Sequence, residues 1–390
     1  MNSRIKSLTQ KKKAGGIEAE EGLVLDPYPI PSPIAAGNDI NKIMDHRELK
    51  SSEADARGIM FATCSRAALS GWRTDPIFQP YFHETGSIVS GDTPDLIRHI
   101  KETEIDSSEG TVVELKTAED FRNTMPAVVL TGDFPGWKGW LSKTGAGWVH
   151  AKKAILSVFT EAKRLGVTFI TGSAAGDVIS LVYEGGDVVA TRTADGIVHR
   201  AEHTILSAGA GSDRLLDFKM QLRFFMEPDE DQHELKICDE HPGYCNLVSD
   251  HQCAGGIRSV PFAKQQIPLE AEARARNFLR DTMPHLASGP MVFARICWDA
   301  DTPDPPITAG RCGGSGNGAM QMPTIGGFIV DALEGRLQKD LKYVVRWRRE
   351  TALHRDWKST QNRFGGPNKV MEFQEVGEHE WTDVGNKSRL

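Results

Sequence analysis

The chain has 390 residues, 39% of them hydrophobic and 25% charged, with a formal net charge of −7. That length allows two domains with their own cores, and the composition excludes an intrinsically disordered protein. The acidic balance, with no basic face interleaved with aromatics, argues against a nucleic-acid partner and for a small-molecule substrate.

Residues 1–22 form a charged leader with a lysine run. The leader lacks the apolar stretch of a secretory signal, and no apolar run in the chain is long enough to span a bilayer, so a soluble intracellular protein is expected. Cys64, Cys238, Cys245, Cys253, Cys297 and Cys312 then read as free thiols. Leu23-Val24-Leu25-Asp26 is a short apolar strand closing on a carboxylate, and the prolines Pro27, Pro29 and Pro31 stop any helix after it. In a dinucleotide-binding fold such a carboxylate holds ribose hydroxyls about 20 residues after a G-x-G-x-x-G turn. That turn is absent here: Gly15-Gly16 stand among lysines and glutamates.

Ala35-Ala36-Gly37-Asn38-Asp39-Ile40-Asn41-Lys42-Ile43 reads as a small-residue connector that turns apolar. Residues 53–69 are predicted helical, an aromatic-rich run covers 72–82, and a short strand covers 87–90. Brief helices are expected at 95–101 and 117–123, the second opened by Thr117 and Asp120 at capping-box spacing. Residues 132–140 are rich in turns and aromatics and lead through Gly145-Ala146-Gly147-Trp148 into a helix, with Val149, Ala154, Ile155, Val158, Phe159 and Ala162 on a helical period. Gly166 ends that helix and opens a strand over 167–171. A meander at 178–183, 187–191 and 196–199 turns at Gly185-Gly186 and Asp195-Gly196. Residues 204–211 are expected as a buried strand running into Gly209 and Gly211, and this order of elements is that of one discontinuous cofactor-binding domain.

Residues 234–240 form a marked strand with Leu235 and Ile237 on one face and Lys236, Cys238 and Glu240 on the other. Lys236 and Glu240 are about 13 Å apart at strand rise, so they address different parts of one ligand or a solvated face. His233, Cys238, His241, Cys245, His251 and Cys253 raise a zinc reading, which their irregular gaps disfavour. A charged helix over 270–283 leads to Met291-Val292-Phe293-Ala294-Arg295-Ile296-Cys297, a strand pattern that places Cys297 on the face of Arg295 and runs into an acidic turn ending at Asp304. Taken alone, this Cys297 reads as a small buried hydrophobe. The loop carrying Gly314, Gly316 and Gly318 precedes a helix with Ile325, Phe328, Ile329, Ala332 and Leu333 on one stripe. No strand comes before those glycines, but they can bring backbone N–H groups to a phosphate or anionic ring. Arg363, beside glycines and aromatics, suits carboxylate capture, or is a surface arginine. Ser388-Arg389-Leu390 is a conservative variant of the S-K-L peroxisomal address, which implies an import receptor as partner.

These segments together resemble the fructosyl amino acid oxidases, or amadoriases, of the sarcosine oxidase branch of flavin amine oxidases. The likeness runs from Leu25 to Trp381 through Leu25-Asp26-Pro27-Tyr28-Pro29, Ala36-Gly37-Asn38-Asp39, residues 132–139, 234–244, 294–304 and 363–368. The resemblance implies an FAD-dependent oxidase of glycated amino acids or a related secondary amine, using O2 and releasing H2O2. It implies a flavin tethered to Cys297, Lys236 beside the ring to promote the oxygen reaction, Lys42 as a second lysine near the cofactor, and Asp26 on the ribose. Glu240 and Arg363 would hold the substrate, with Gly209, Gly314, Gly316 and Gly318 contributing to the cofactor site. The implied fold is α/β, with a discontinuous, incomplete Rossmann-like FAD-binding domain (residues 23–47, 141–219 and 303–345) and an α+β substrate domain with a mainly antiparallel sheet (48–140 and 220–302). A C-terminal extension over 346–390 carries the peroxisomal-type tail. The chain departs from the family's pattern in the missing glycine turn and in strands absent after Leu222 and between Asp304 and Gly313. Those departures leave a second reading, a catalytically inactive homologue unable to hold FAD.

Overall fold

The computed structural model describes residues 22–35, 37–45, 56–103, 112–208, 224–226, 234–238, 244–249, 257–260, 264–298, 318–344, 371–372, 376–377 and 380–384. In chain order the elements are β1 (Leu23–Asp26), β2 (Lys42–Asp45), α1 (Ala56–Thr74), β3 (Phe82–His83), β4 (Ser87–Gly91), α2 (Pro94–Thr103), β5 (Val112–Leu115) and α3 (Ala118–Arg122). Then come β6 (Lys138–Ser142), β7 (Ala146–Val149), α4 (Ala151–Arg164), β8 (Thr168–Thr171), β9 (Val178–Glu184), β10 (Asp187–Thr193), β11 (Val198–Arg200), β12 (Phe224–Met226) and β13 (Lys236–Cys238). The rest are β14 (Tyr244–Cys245), β15 (Leu247–Ser249), β16 (Ile257–Ser259), α5 (Leu269–Thr282), α6 (Gly318–Leu333), α7 (Lys339–Val344) and β17 (Met371–Glu372).

The fold is the expected α/β mixture. β1 runs parallel to β8, with Leu25 opposite Ile170 and Asp26 opposite Thr171. Antiparallel pairing dominates elsewhere, in β2-β7-β3, β4-β6-β5, β11-β10-β9, β12-β13 and β15-β16. The meander turns through Gly185, Gly186 and Gly196, all at positive φ, as the turn signals predict. Thr117 caps α3 reciprocally with Asp120, closing the predicted box.

Two larger cores organise the described residues, beside a smaller cluster of Ile100 and Trp140. In the first, Met44 of β2, Trp72 of α1, Val149 of β7, Ala154 of α4 and Met320 of α6 meet around Phe78. Trp72 is fully buried, and its indole N–H donates to the Met320 carbonyl at 2.9 Å, so its one polar atom is satisfied. In the second, Leu115, Phe121, Leu130, Phe134, Leu279 and Met283 pack together, with Leu235 and Ile237 against them. Those two residues flank and enter β13, so the opposite face of the strand carries Lys236. The C-terminal segment returns to the start of α5, where Leu269 N–H donates to Glu380 O at 2.8 Å and the buried Thr382 hydroxyl accepts from Ile267 N–H at 3.1 Å.

Three expectations are corrected. Residues 203–208 form no strand, and Ile205 and Leu206 are 54% and 47% exposed. A buried parallel strand needs ladder partners on its flanks, and among the described residues β1 pairs with β8 alone. The α6 stripe is also misplaced: Ile325 and Leu333 are exposed, while Ala319, Met320 and Met322 pack on the first core, because α6 is drawn in at its start by Trp72. Finally, β2 and β7 fall where a connector and glycines were read, and Val149 belongs to β7 instead of the following helix.

Gly147 has a packing reason in that strand. It lies in β7 between β2 and β3, and a Cβ there would sit 2.0 Å from the His83 carbonyl oxygen. Gly147→Val should therefore destabilise the fold by about 1–3 kcal/mol or more, read as a lowered urea midpoint by tryptophan fluorescence; an unchanged midpoint would contradict this packing.

Candidate active site

The site is built on one buried carboxylate. Asp39 follows a tight loop in which Ala35 N–H donates to Ser32 O at 3.1 Å and Asn38 N–H to Ala35 O at 3.0 Å. Its own carbonyl accepts from Lys152 N–H at 2.9 Å, which ties the loop to the start of α4. Asp39 Oδ2 lies 2.6 Å from Lys42 Nζ and 2.8 Å from Lys236 Nζ, and Oδ1 accepts from Arg295 at 2.8 Å. Burial pushes the Asp39 carboxyl upward, but Lys236, Lys42 and Arg295 overcome it and hold the group well below the usual carboxylate range.

Arg295 staples the loop to a distant part of the chain. Its guanidinium donates to Pro33 O at 2.9 Å, Ala35 O at 3.2 Å and Asn38 O at 3.0 Å, besides Asp39. Burial works against its charge, yet Asp39, Cys297 and Cys238 keep it more firmly protonated than an ordinary arginine. A lysine has no planar fork of five donors and cannot repeat this pattern.

Lys236 also donates to Asn41 O at 2.9 Å, and Lys42 Nζ lies 3.9 Å from Cys297 Sγ. Three of the predicted residues, Lys42, Lys236 and Cys297, therefore converge. They arrive on β2, on β13 and on the segment after α5. Among the described residues, three cations converge on one carboxylate. Such a cluster stabilises negative charge that develops beside it.

Asp26 occupies the C-terminal end of β1, the end of a parallel strand where ligands bind in open α/β sheets. Its Oδ1 accepts from Tyr28 N–H at 2.8 Å. Burial raises its pKa, opposed by that hydrogen bond. Gly318 is the first residue of α6. Glu240, Arg363, Gly209, Gly314 and Gly316 lie outside the described residues.

The strand expected at 291–297 is corrected: these residues join no ladder, and Trp298 makes a single bridge with Ala35. Side-chain anchoring takes the ladder's place, since Arg295 alone makes four hydrogen bonds to the 33–39 loop. The predicted sharing of a side by Arg295 and Cys297 holds, because both interact with the same charge cluster. Sequence reasoning gave no role to Asp39. The available signal was an acidic residue in a loop of small residues, three positions before Lys42.

Asp39→Asn leaves three half-buried cations without their shared, buried anion, and should lower the unfolding free energy by about 3–5 kcal/mol. Because the folded-state pKa of Asp39 is depressed, its contribution is complete above the unfolded carboxylate value of about 3.9 and fades as pH falls toward the folded value. The gap between wild type and variant in urea unfolding should stay constant from about pH 5 to 8 and narrow below about pH 4.

A family profile described as FAD dependent oxidoreductase matches residues 41–332. The chain is 62% identical to amadoriase I, a fructosyl amine:oxygen oxidoreductase from Aspergillus fumigatus, with a TM-score of 0.86 over 94% of this chain and 92% of that one. It is 40% identical to the fructosamine oxidase amadoriase II of Aspergillus fumigatus in complex with FSA, with a TM-score of 0.84 and the same coverage. An L-saccharopine oxidase of Schizosaccharomyces pombe is 23% identical over 84% of this chain and 87% of that protein.

Proposed function

The chain belongs to the FAD dependent oxidoreductase family, and from that premise we propose that it oxidises the C–N bond of fructosyl amino acids, with O2 as acceptor and H2O2 as product. The reading is carried by the charge cluster around Asp39, together with the 62% likeness to a fructosyl amine:oxygen oxidoreductase. The donor set suits the ring end of a flavin: two ammonium groups and a guanidinium favour a group that becomes anionic on reduction, and the Cys297 thiol stands beside Lys42. Lys42, Lys236 and Cys297 would hold the ring, Asp26 the ribose, and Gly209, Gly314, Gly316 and Gly318 would bring backbone N–H groups to the cofactor.

When bound, FAD accepts hydride from the substrate's C–N bond and delivers two electrons to oxygen. Lys236, fixed between Asp39 and Asn41 O, stabilises the negative charge that oxygen gains. Arg363 would take the substrate carboxylate as a bidentate partner, and Glu240 would help to hold the substrate. Cys297 would tether the flavin covalently through its sulfur. The Ser388-Arg389-Leu390 ending directs this peroxide-forming enzyme to the peroxisome. A different secondary amine is the second reading, favoured by the likeness to an L-saccharopine oxidase.

The purified chain should be yellow and should release peroxide from fructosyl valine or fructosyl lysine; a colourless protein, or a yellow one inert toward both, would overturn the assignment. In stopped-flow reoxidation, Lys236→Met should react with O2 roughly 100-fold more slowly, while anaerobic bleaching by substrate changes by less than about threefold. Arg363→Ala should raise KM for fructosyl valine by roughly 10-fold or more, the cost of a lost charge-assisted pair.

A further inference from the structure

A short ladder joins two distant parts of the chain. β14 and β17 run parallel, with Tyr244 opposite Met371 and Cys245 opposite Glu372. Parallel strands begin at the same end of a pair. Glu240 stands four residues before Tyr244 and Arg363 eight residues before Met371, so both are tethered to that one end. Each strand has only two residues, and a pair this short does not hold without outside support. The support comes from the start of α5. Tyr244 is buried, and its hydroxyl donates to Glu270 in the first turn of that helix. One turn on, Arg274 approaches the same oxygen at 3.5 Å and reaches Glu270 Oε2 at 3.0 Å. Burial and the Glu270 contact push the Tyr244 phenol above its ordinary pKa, which keeps it a donor. The chain beyond β17 returns to the residues just ahead of Glu270, through the Leu269 and Ile267 contacts with Glu380 and Thr382.

We propose that Tyr244 is a positioning residue for substrate binding: its hydrogen bond to Glu270 seats β14 on α5 and, through the β14–β17 ladder, sets the separation of Glu240 and Arg363. This rests on the reading of Glu240 and Arg363 as the residues that hold the substrate. Two holders grip one small molecule together only when their spacing is fixed beforehand, since ordering them at the moment of binding costs affinity. Their grip is the same before and during the reaction, so loosening it weakens ground state and transition state alike. Such a loss raises KM and leaves kcat in place.

The test uses the full-length holoenzyme. Tyr244→Phe should raise KM for fructosyl valine by roughly tenfold while kcat and bound flavin per chain change by less than about twofold. Glu270→Ala should match it, and the double variant should be no worse than either single one, because both changes remove the same contact. Glu270→Gln keeps an acceptor oxygen for the phenol and should stay within about threefold of the wild-type KM. A second readout needs no substrate: by hydrogen exchange and mass spectrometry, the backbone amides of β17 should exchange roughly tenfold faster in Tyr244→Phe, the loosening crossing the ladder. A Tyr244→Phe enzyme with a lowered urea midpoint but wild-type KM and β17 exchange would overturn the positioning role and leave the contact a structural one. Equal KM values for Glu270→Gln and Glu270→Ala would overturn it too, and this comparison decides the matter if Tyr244→Phe fails to fold. A wild-type chain inert toward fructosyl valine, or one whose KM is unmoved by Arg363→Ala, would instead overturn the reading of the substrate site, whereas the exchange result reports on the Tyr244 anchor alone.

Discussion

One carboxylate shared by three cations is the constraint on which the site depends. Asp39 is nearly buried, and a carboxylate in that setting is tolerable only because Lys42, Lys236 and Arg295 all reach it within 2.8 Å. Each cation comes from a different part of the chain, so the ion cluster is also a topological clamp. It joins β2, β13 and the segment after α5 at one point, where among the described residues β-pairing supplies only the Trp298–Ala35 bridge. The converging cations have a chemical use: they favour any partner that becomes negative during reaction.

The two cores aim the side chains at that point. Leu235 and Ile237 pack into the aromatic core around Phe121 and Phe134, and the alternation of β13 then turns Lys236 the other way, toward Asp39. On the other side, β2 is gripped by β7, with Met44 buried in the core that contains Trp72, and the same ladder carries Lys42. Gly147 lets β7 come close enough to its neighbours for this to happen. The packing of each core thus sets the direction of a lysine, and Asp39 sets where the two lysines end.

The cofactor reading divides along the same line. The ring end is defined by Cys297, Lys42 and Lys236, whose contacts are mutually consistent. At the other end, Asp26 closes a parallel strand that pairs with β8 alone among the described residues, and Leu23 at its start is 42% exposed. The likeness to two amadoriases over 94% of the chain spans both regions.

Much of this was legible in residue order, because local chemistry follows local pattern. The β9–β11 meander was marked by glycines that adopt positive φ, and α3 by the spacing of Thr117 and Asp120. Period two separated Lys236 from Leu235 and Ile237, and put Arg295 with Cys297. Pattern alone misread residues 204–208, since an apolar run is buried only if neighbouring strands cover it. It also passed over Asp39, whose importance comes from contacts with Lys236 and Arg295, 197 and 256 residues away. A sequence determines which face of an element a side chain takes; which distant charges meet it there is decided by how the cores pack, and that meeting makes a buried carboxylate the centre of the site.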